Sequence, residues 1–340
     1  MIRQLLPRLV RGERLAREET AAAIRSIMRG GEDPELVGAF LMALAQRGET
    51  AEELAGGAEA LRAEAVPFPG EGPFLDTCGT GGDGTHTYNI STVVGLIAAA
   101  AGQRVAKHGN RSVSSRCGSA DVLEALGARV DLGPESAKRA LEETGFCFLY
   151  APRFHPSMKQ VAGIRRSLGV RTLFNWVGPL ANPARATHQL LGVSDRARVD
   201  VVAQVLAALG AERALVVHGA GGLDELSLEH GNHAVWVERG REPRGVTVEA
   251  DAIGLPPASV AELEGGTPEE NAGHVRAVLS GRAGARRDAA ILNAAAALWV
   301  AGAADSLEEA AVLATEALDS GAAARVLDRY AAFSQEIGAD

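Results

Sequence analysis

Residues 76–92 read Asp76-Thr-Cys-Gly-Thr-Gly-Gly-Asp-Gly-Thr-His-Thr-Tyr-Asn-Ile-Ser-Thr92. Phe74 to Thr77 reads as the end of a buried strand, and Asn89, Ser91 and Thr92 stand where a helix begins. Val93 to Ala101 is apolar and small, with Gly102 as its stop. Between strand and helix, Gly79, Gly81, Gly82 and Gly84 free the backbone to adopt positive φ, so that N–H groups converge on an anion. The helix N-terminus adds unpaired amides and the positive end of its dipole. The plan then repeats: Arg104 to Lys107 as a strand, a loop through Ser115, and Ser119 capping a helix over 121–126. Both loops fall at strand C-terminal ends, the ligand edge of an open α/β sheet.

Gly79-x-Gly81-x-x-Gly84 matches the G-x-G-x-x-G dinucleotide fingerprint, but its context does not. A dinucleotide unit opens its helix within the glycines and carries an acidic residue about twenty positions on. Here the helix starts after Asn89 and residues 99–109 contain no carboxylate, with only Arg104 available for a 2′-phosphate. No G-x-x-x-x-G-K-[ST] motif occurs.

Asp76-x-x-Gly79-Thr-Gly-Gly-Asp83-Gly, Asn89-Ile-Ser-Thr92, Lys107-His-Gly-Asn-Arg-Ser-Val-Ser-Ser115 and Cys117-Gly-Ser-Ala-Asp121 resemble the anthranilate phosphoribosyltransferases, enzymes of tryptophan biosynthesis. The likeness extends over nearly the whole chain. It implies a small helical domain, 1–68, to which 163–184 returns, and a large α/β domain, 69–340, with a mainly parallel central sheet. It also implies a homodimer through the helical domain and transfer of phosphoribosyl from 5-phospho-α-D-ribose 1-diphosphate to the anthranilate amine, with Mg²⁺, two per subunit. The donor would lie on Gly79, Gly82, Asp83, Thr87, Asn89, Ile90, Ser91, Thr92, Lys107, His108, Gly109, Asn110, Arg111, Ser112, Val113, Ser114, Ser115 and Ser119. Anthranilate would lie on Gly79, His108, Asn110 and Arg165, and the metal on Ser91, Asp224 and Glu225.

Length and composition agree with such a chain. Its 340 residues suffice for two domains, and 46% hydrophobic with 4% aromatic content suits closely packed small-residue helices. A net charge of −9 opposes nonspecific nucleic-acid binding, so any phosphate site must be local. Cys78, Cys117 and Cys147, widely spaced and without a C-x-x-C, suggest neither a disulfide framework nor a zinc site and fit a cytoplasmic setting. Met1 to Val10 lacks the apolar run of a signal peptide, and no stretch reaches the ~20 apolar residues of a membrane span.

Residues 1–66 read as helices only, with Asp33-Pro34 and Thr50-x-x-Glu53 marking two starts and 67–70 a linker. From Phe74 strands and helices alternate. Strands are expected over 128–132, 146–150, 188–193 and 213–217, an antiparallel pair over 234–237 and 245–248, and four helices from 268 to the end. Residues 171–183 read as helix-poor.

Asp224-Glu225 follows the glycine loop after the 213–217 strand. Surface Asp-Glu pairs are common, but on a loop both carboxylates can reach one point, and hard oxygen donors suit Mg²⁺ with substrate phosphates. Asp83 could serve only its turn, and Asn89, Ser91 and Thr92 only their cap. Lys107 is one of just three lysines; with Asn110, Arg111, Ser114 and Ser115 it reads as a phosphate donor. His108 is a candidate base or a plain loop histidine. Arg165 and Arg166 diverge by about 100° on their helix; either could fork a carboxylate, and only the resemblance prefers Arg165. Trp236 and Trp299 read as core, His155 and Trp176 as core or channel, and Cys78 as buried and inert.

Two rival readings have distinct signatures. A pyrimidine nucleoside phosphorylase would use inorganic phosphate, for which the Gly-Thr-Gly-Gly-Asp loop and acidic doublet are less suited. A nucleic-acid-binding relative would be basic.

Overall fold

The computed structural model describes residues 1–112 and 116–337. Helices α1 (Ile2–Val10), α2 (Arg17–Met28), α3 (Pro34–Arg47) and α4 (Ala51–Glu64) open the chain. Pro34 occupies the first position of α3 after Asp33. At α4, Thr50 and Glu53 exchange side-chain-to-amide bonds of 2.9 and 3.1 Å, satisfying two amides a helix start leaves free.

The alternating part runs β1 (Leu75–Gly79), α5 (Ile90–Ala100), β2 (Val105–Gly109), α6 (Ser119–Ala125), α7 (Pro134–Thr144), β3 (Phe146–Tyr150), α8 (Ala151–Phe154), α9 (Lys159–Leu168) and α10 (Leu173–Val177). It continues with β4 (His188–Gly192), α11 (Val199–Ala208), β5 (Arg213–His218), β6 (His233–Glu238) and β7 (Arg244–Val246). Helices α12 (Pro268–Leu279), α13 (Ala285–Ala301), α14 (Leu307–Asp319) and α15 (Ala322–Glu336) close it.

The sheet order is β3-β2-β1-β4-β5-β6-β7. The first five strands are parallel, while β6 and β7 are antiparallel additions at one edge. After β1 the chain builds outward through β2 and β3, then returns to place β4 on the other side of β1. That reversal makes the β1/β4 seam a topological switch point, where a crevice opens beyond the strand C-termini.

Alternate side chains of each strand enter two cores. Leu190, Leu215 and Val217 join α5, α7 and α12–α15, whereas Leu191, Val193 and Val216 join α11 and the N-terminal helices. The N-terminal bundle thus shares its core with one sheet face. Helix α9 packs on α2 and α3, and α10 with the Pro179–Ala181 turn packs on α4.

One expected strand is absent. Residues 128–132 bury Ala128, Val130 and Leu132 in strand-like alternation, yet join no ladder. The Arg129 amide instead donates to Ser334 Oγ of α15 at 2.8 Å, so the alternation reflects packing under a helix. The helix-poor expectation for 171–183 is also revised by the short α10 and the 3₁₀ turn at Pro179–Ala181.

Candidate active site

Gly79 and Gly192 end β1 and β4 side by side. A Cβ on Gly79 would lie 2.2 Å from Asp224 Oδ2, and one on Gly192 only 1.5 Å from the Asp224 carbonyl oxygen. Two glycines at the seam therefore let the β5–β6 connection lay its acidic doublet across the strand ends. Asp224 Oδ2 accepts the Gly81 amide at 2.6 Å, and the Asp224 amide approaches Asp83 Oδ2 at 3.5 Å. Asp83 also accepts the Thr85 amide at 3.2 Å, so it is both a turn former and a neighbour of the doublet.

Glu225 is 7% exposed, and burial followed by repulsion from Asp224 holds its carboxyl well above the usual range. Burial and then the Asp83 charge do the same to Asp224. The Asp83 charge adds to the shift on Glu225, and Lys107 opposes it. Among the described residues no three His, Cys, Asp or Glu side chains are arranged to hold a metal by themselves. Hard oxygen donors in an incomplete set fit a Mg²⁺ that takes its remaining ligands from substrate phosphates and water.

Beneath the loops lies a buried polar floor. Asp76 is fully buried and accepts the His108 amide at 3.2 Å and Asn182 Nδ2 at 2.8 Å. Asn182 also donates to the Ala106 carbonyl at 2.8 Å. Side chains thus replace the ladder between β1 and β2, which pair in register only at Leu75 and Val105. Burial, opposed by Lys107 and these donors, pushes Asp76 up to about 6. Lys107, 1% exposed, donates to the Thr77 carbonyl and to Ser91 Oγ.

On the other flank the His108 and His155 ring centroids are 5.2 Å apart. Burial, and then His155 and Lys107, hold His108 well below its usual range. His108 Nε2 is buried without a partner in the protein, whereas His155 Nε2 meets the Ala181 carbonyl at 3.0 Å. The structure separates the two arginines of α9: Arg166 is exposed, while Arg165 is half-buried with its guanidinium 5.8 Å from the Phe174 ring centroid. No carboxylate pairs with Arg165 among the described residues, and burial alone lowers its pKa.

Several sequence expectations are redrawn. Lys107, within β2, is buried beneath the loop rather than lying at its surface. Asn89 precedes α5 but makes no capping bond; its side chain bridges the Cys117 carbonyl at 3.3 Å and Asn271 at 2.9 Å. Thr92 is buried with its hydroxyl unpartnered, and Ile90 is core. Gly118, not Ser119, takes the cap position of α6; Asp121 accepts the Gly118 and Ser112 amides at 2.8 and 2.9 Å. Ser119 Oγ donates to the Asn110 carbonyl at 3.3 Å, where a Cβ on Gly109 would clash with it. Arg111 forks Glu124 and reaches Asp121 at 3.1 Å, since α6 presents two carboxylates to it.

Ser91 keeps an intermediate exposure at the start of α5, and Thr87 bridges Glu264 across the loop mouth. The expectations for Val113, Ser114 and Ser115 lie outside the described residues. The residues missed were Asn182, Gln189 and Arg171. Gln189 donates to the Pro179 carbonyl at 2.8 Å behind Asp76. Their only sequence signal was a polar side chain inside an otherwise apolar strand or turn.

The helical bundle domain of the glycosyl transferase family matches residues 3–65, and that family's a/b domain matches residues 71–324. An anthranilate phosphoribosyltransferase from Roseiflexus castenholzii is 51% identical over 96% of this chain and 97% of its own. The chain belongs to the anthranilate phosphoribosyltransferase family. Another anthranilate phosphoribosyltransferase, from an Anaeromyxobacter species, is 52% identical over 98% of this chain and 99% of its own. The crystal structure of anthranilate phosphoribosyltransferase from Thermus thermophilus superposes with a TM-score of 0.90 at 45% identity, covering 97% of this chain and 99% of that one. The Saccharomyces cerevisiae enzyme in complex with PRPP and Mg superposes with a TM-score of 0.89 at 25% identity, covering 99% and 98%.

Proposed function

We propose that this chain transfers the phosphoribosyl group of 5-phospho-α-D-ribose 1-diphosphate to the amine of anthranilate, releasing diphosphate, as a step of tryptophan biosynthesis. The observation that carries the reading is the convergence of glycine loop and acidic doublet on the β1/β4 seam, with Asp224 2.6 Å from the Gly81 amide. A diphosphate needs both partners: amides for its oxygens and carboxylates for its counter-cation. Asp224, Glu225 and Ser91 would hold Mg²⁺, which would supply counter-charge to the departing diphosphate. Two ions per subunit, the number that the family resemblance implies, belong to the same proposal, each completing its shell with substrate phosphate oxygens and water.

The remaining work falls to preorganised groups. The Gly82 and Asp83 amides donate to the diphosphate oxygens, and Lys107 supplies positive charge from below through Ser91. Arg165, which pairs with no carboxylate among the described residues, forks the carboxylate of anthranilate beside Phe174. Gly79, His108 and Asn110 border that substrate. A depressed pKa keeps His108 neutral, so it adds no positive charge beside the developing oxocarbenium. The arylamine is already nucleophilic, and positioning is the principal requirement.

The bundle of 1–68 with 163–184 forms one unit and the rest of the chain the other. Exposed Val10 and Met42 on that bundle are apolar side chains a homodimer would cover. The three buried cysteines accord with a cytoplasmic setting, and no helix among the described residues is long and apolar enough to cross a membrane. Incubation with the donor, Mg²⁺ and anthranilate, following loss of anthranilate fluorescence, tests the reaction. A signal that persists in all three, with folded protein, refutes it.

A further inference from the structure

We propose that Arg171 is a positioning residue for the phosphoribosyl donor, fixing the direction in which the glycine loop aims its amides. Arg171 Nη2 donates to the Gly81 and Gly82 carbonyls, each at 2.6 Å, and Nη1 donates to Ser194 Oγ at 2.6 Å. Within one trans peptide unit the C=O and N–H point in opposite directions. Holding these two carbonyls therefore turns the Gly82 and Asp83 amides away from the guanidinium. Neither amide meets an acceptor among the described residues.

The loop needs such a restraint. Gly81 and Gly82 stand at φ 69° and 68°, and glycine populates negative φ as readily, so the backbone alone does not choose one orientation. Arg171 is itself anchored. The Ser194 amide donates to Thr80 Oγ1 at 3.0 Å, and the Thr80 amide donates to the Gly192 carbonyl at 2.9 Å. The Arg171 guanidinium lies 5.3 Å from the Trp176 ring centroid, and that of Arg198 lies 5.4 Å from the same ring. Arg198 donates to the Glu49 carbonyl and carboxylate, both at 2.9 Å. The aim of the loop is thereby linked, through one tryptophan, to the start of α4.

This inference rests on the donor reading above, and its test keeps the two apart. Isothermal titration with donor and Mg²⁺ is run on full-length wild type, Arg171→Gln, Arg171→Lys and Ser194→Ala, beside KM for each substrate and amide exchange over 79–85. Losing a charge-assisted pair of bonds weakens donor binding roughly ten- to a hundredfold in Arg171→Gln, with anthranilate KM unchanged and faster exchange in the loop. Lysine, a single point donor, rescues part of the loss, and Ser194→Ala shows the same pattern more weakly. Wild-type donor affinity in a folded Arg171→Gln, or equal weakening toward both substrates, overturns the assignment. Should Arg171→Gln not fold, Arg171→Lys and Ser194→Ala decide by the same criteria. Failure of the wild type to bind donor refutes the underlying reading instead.

Discussion

Gly192→Ala adds one methyl group at the point where the site has no room. Its φ is not positive, so the backbone itself accepts alanine, and the effect is purely one of contact. The new Cβ would start 1.5 Å from the Asp224 carbonyl oxygen, 2.3 Å from the carbonyl carbon and 3.1 Å from the Glu225 nitrogen. Real Cβ atoms essentially never approach closer than 3.0 Å, and the obstacle is backbone, so the doublet itself must move. A displacement of about 1 Å at catalytic groups costs on the order of a hundredfold in rate, whereas overpacking at one buried position costs about 1–3 kcal/mol of stability. A folded protein with a crippled metal site is expected. Steady-state rates across a Mg²⁺ titration, together with melting temperatures with and without donor and Mg²⁺, read both quantities. Gly245→Ala, whose Cβ meets nothing within 4 Å, is the control. Wild-type Mg²⁺ half-saturation and donor KM in Gly192→Ala would refute the claim that this seam sets the position of the doublet.

Three further outcomes are expected. Asp224→Asn with Glu225→Gln abolishes Mg²⁺-dependent turnover, yet melts no lower than wild type without metal, because the doublet is buried among like charges; thermal melts with and without Mg²⁺ check both halves. Arg165→Ala raises anthranilate KM by about tenfold or more while sparing donor KM, as expected for loss of a charged fork, and equal effects on both substrates would count against it. Gly273→Ala, exposed in α12 with nothing within 4 Å of its Cβ, stabilises the chain by about 0.5–1 kcal/mol, measurable by denaturant titration.

Much of the sheet was legible because its local signals agreed. An apolar run, a glycine loop and a small-residue helix follow one another at β1–α5. The 128–132 segment shows the limit of that logic. Alternating burial says that one side faces a core, but a ladder needs a neighbouring strand with free backbone groups. Ser334 and α15 occupied that place, and no periodicity could reveal it.

Site residues divided along the same line. Asp83, Ser91, Asp224 and Glu225 stood out by chemical type in or beside glycine loops, and Asp83 and Asp224 come within 3.5 Å of each other at the seam. Lys107 announced its charge but not its depth, since a strand-end lysine can face either way. Arg171 and Asn182 announced nothing, because both act on main-chain carbonyls supplied by segments about 70 to 90 residues away, and a carbonyl has no identity in a sequence. The glycines that make the loop suitable for phosphate also strip it of local constraint. The orientation must therefore come from a distant part of the chain, and the residue supplying it is recognisable only by the peptide groups it holds.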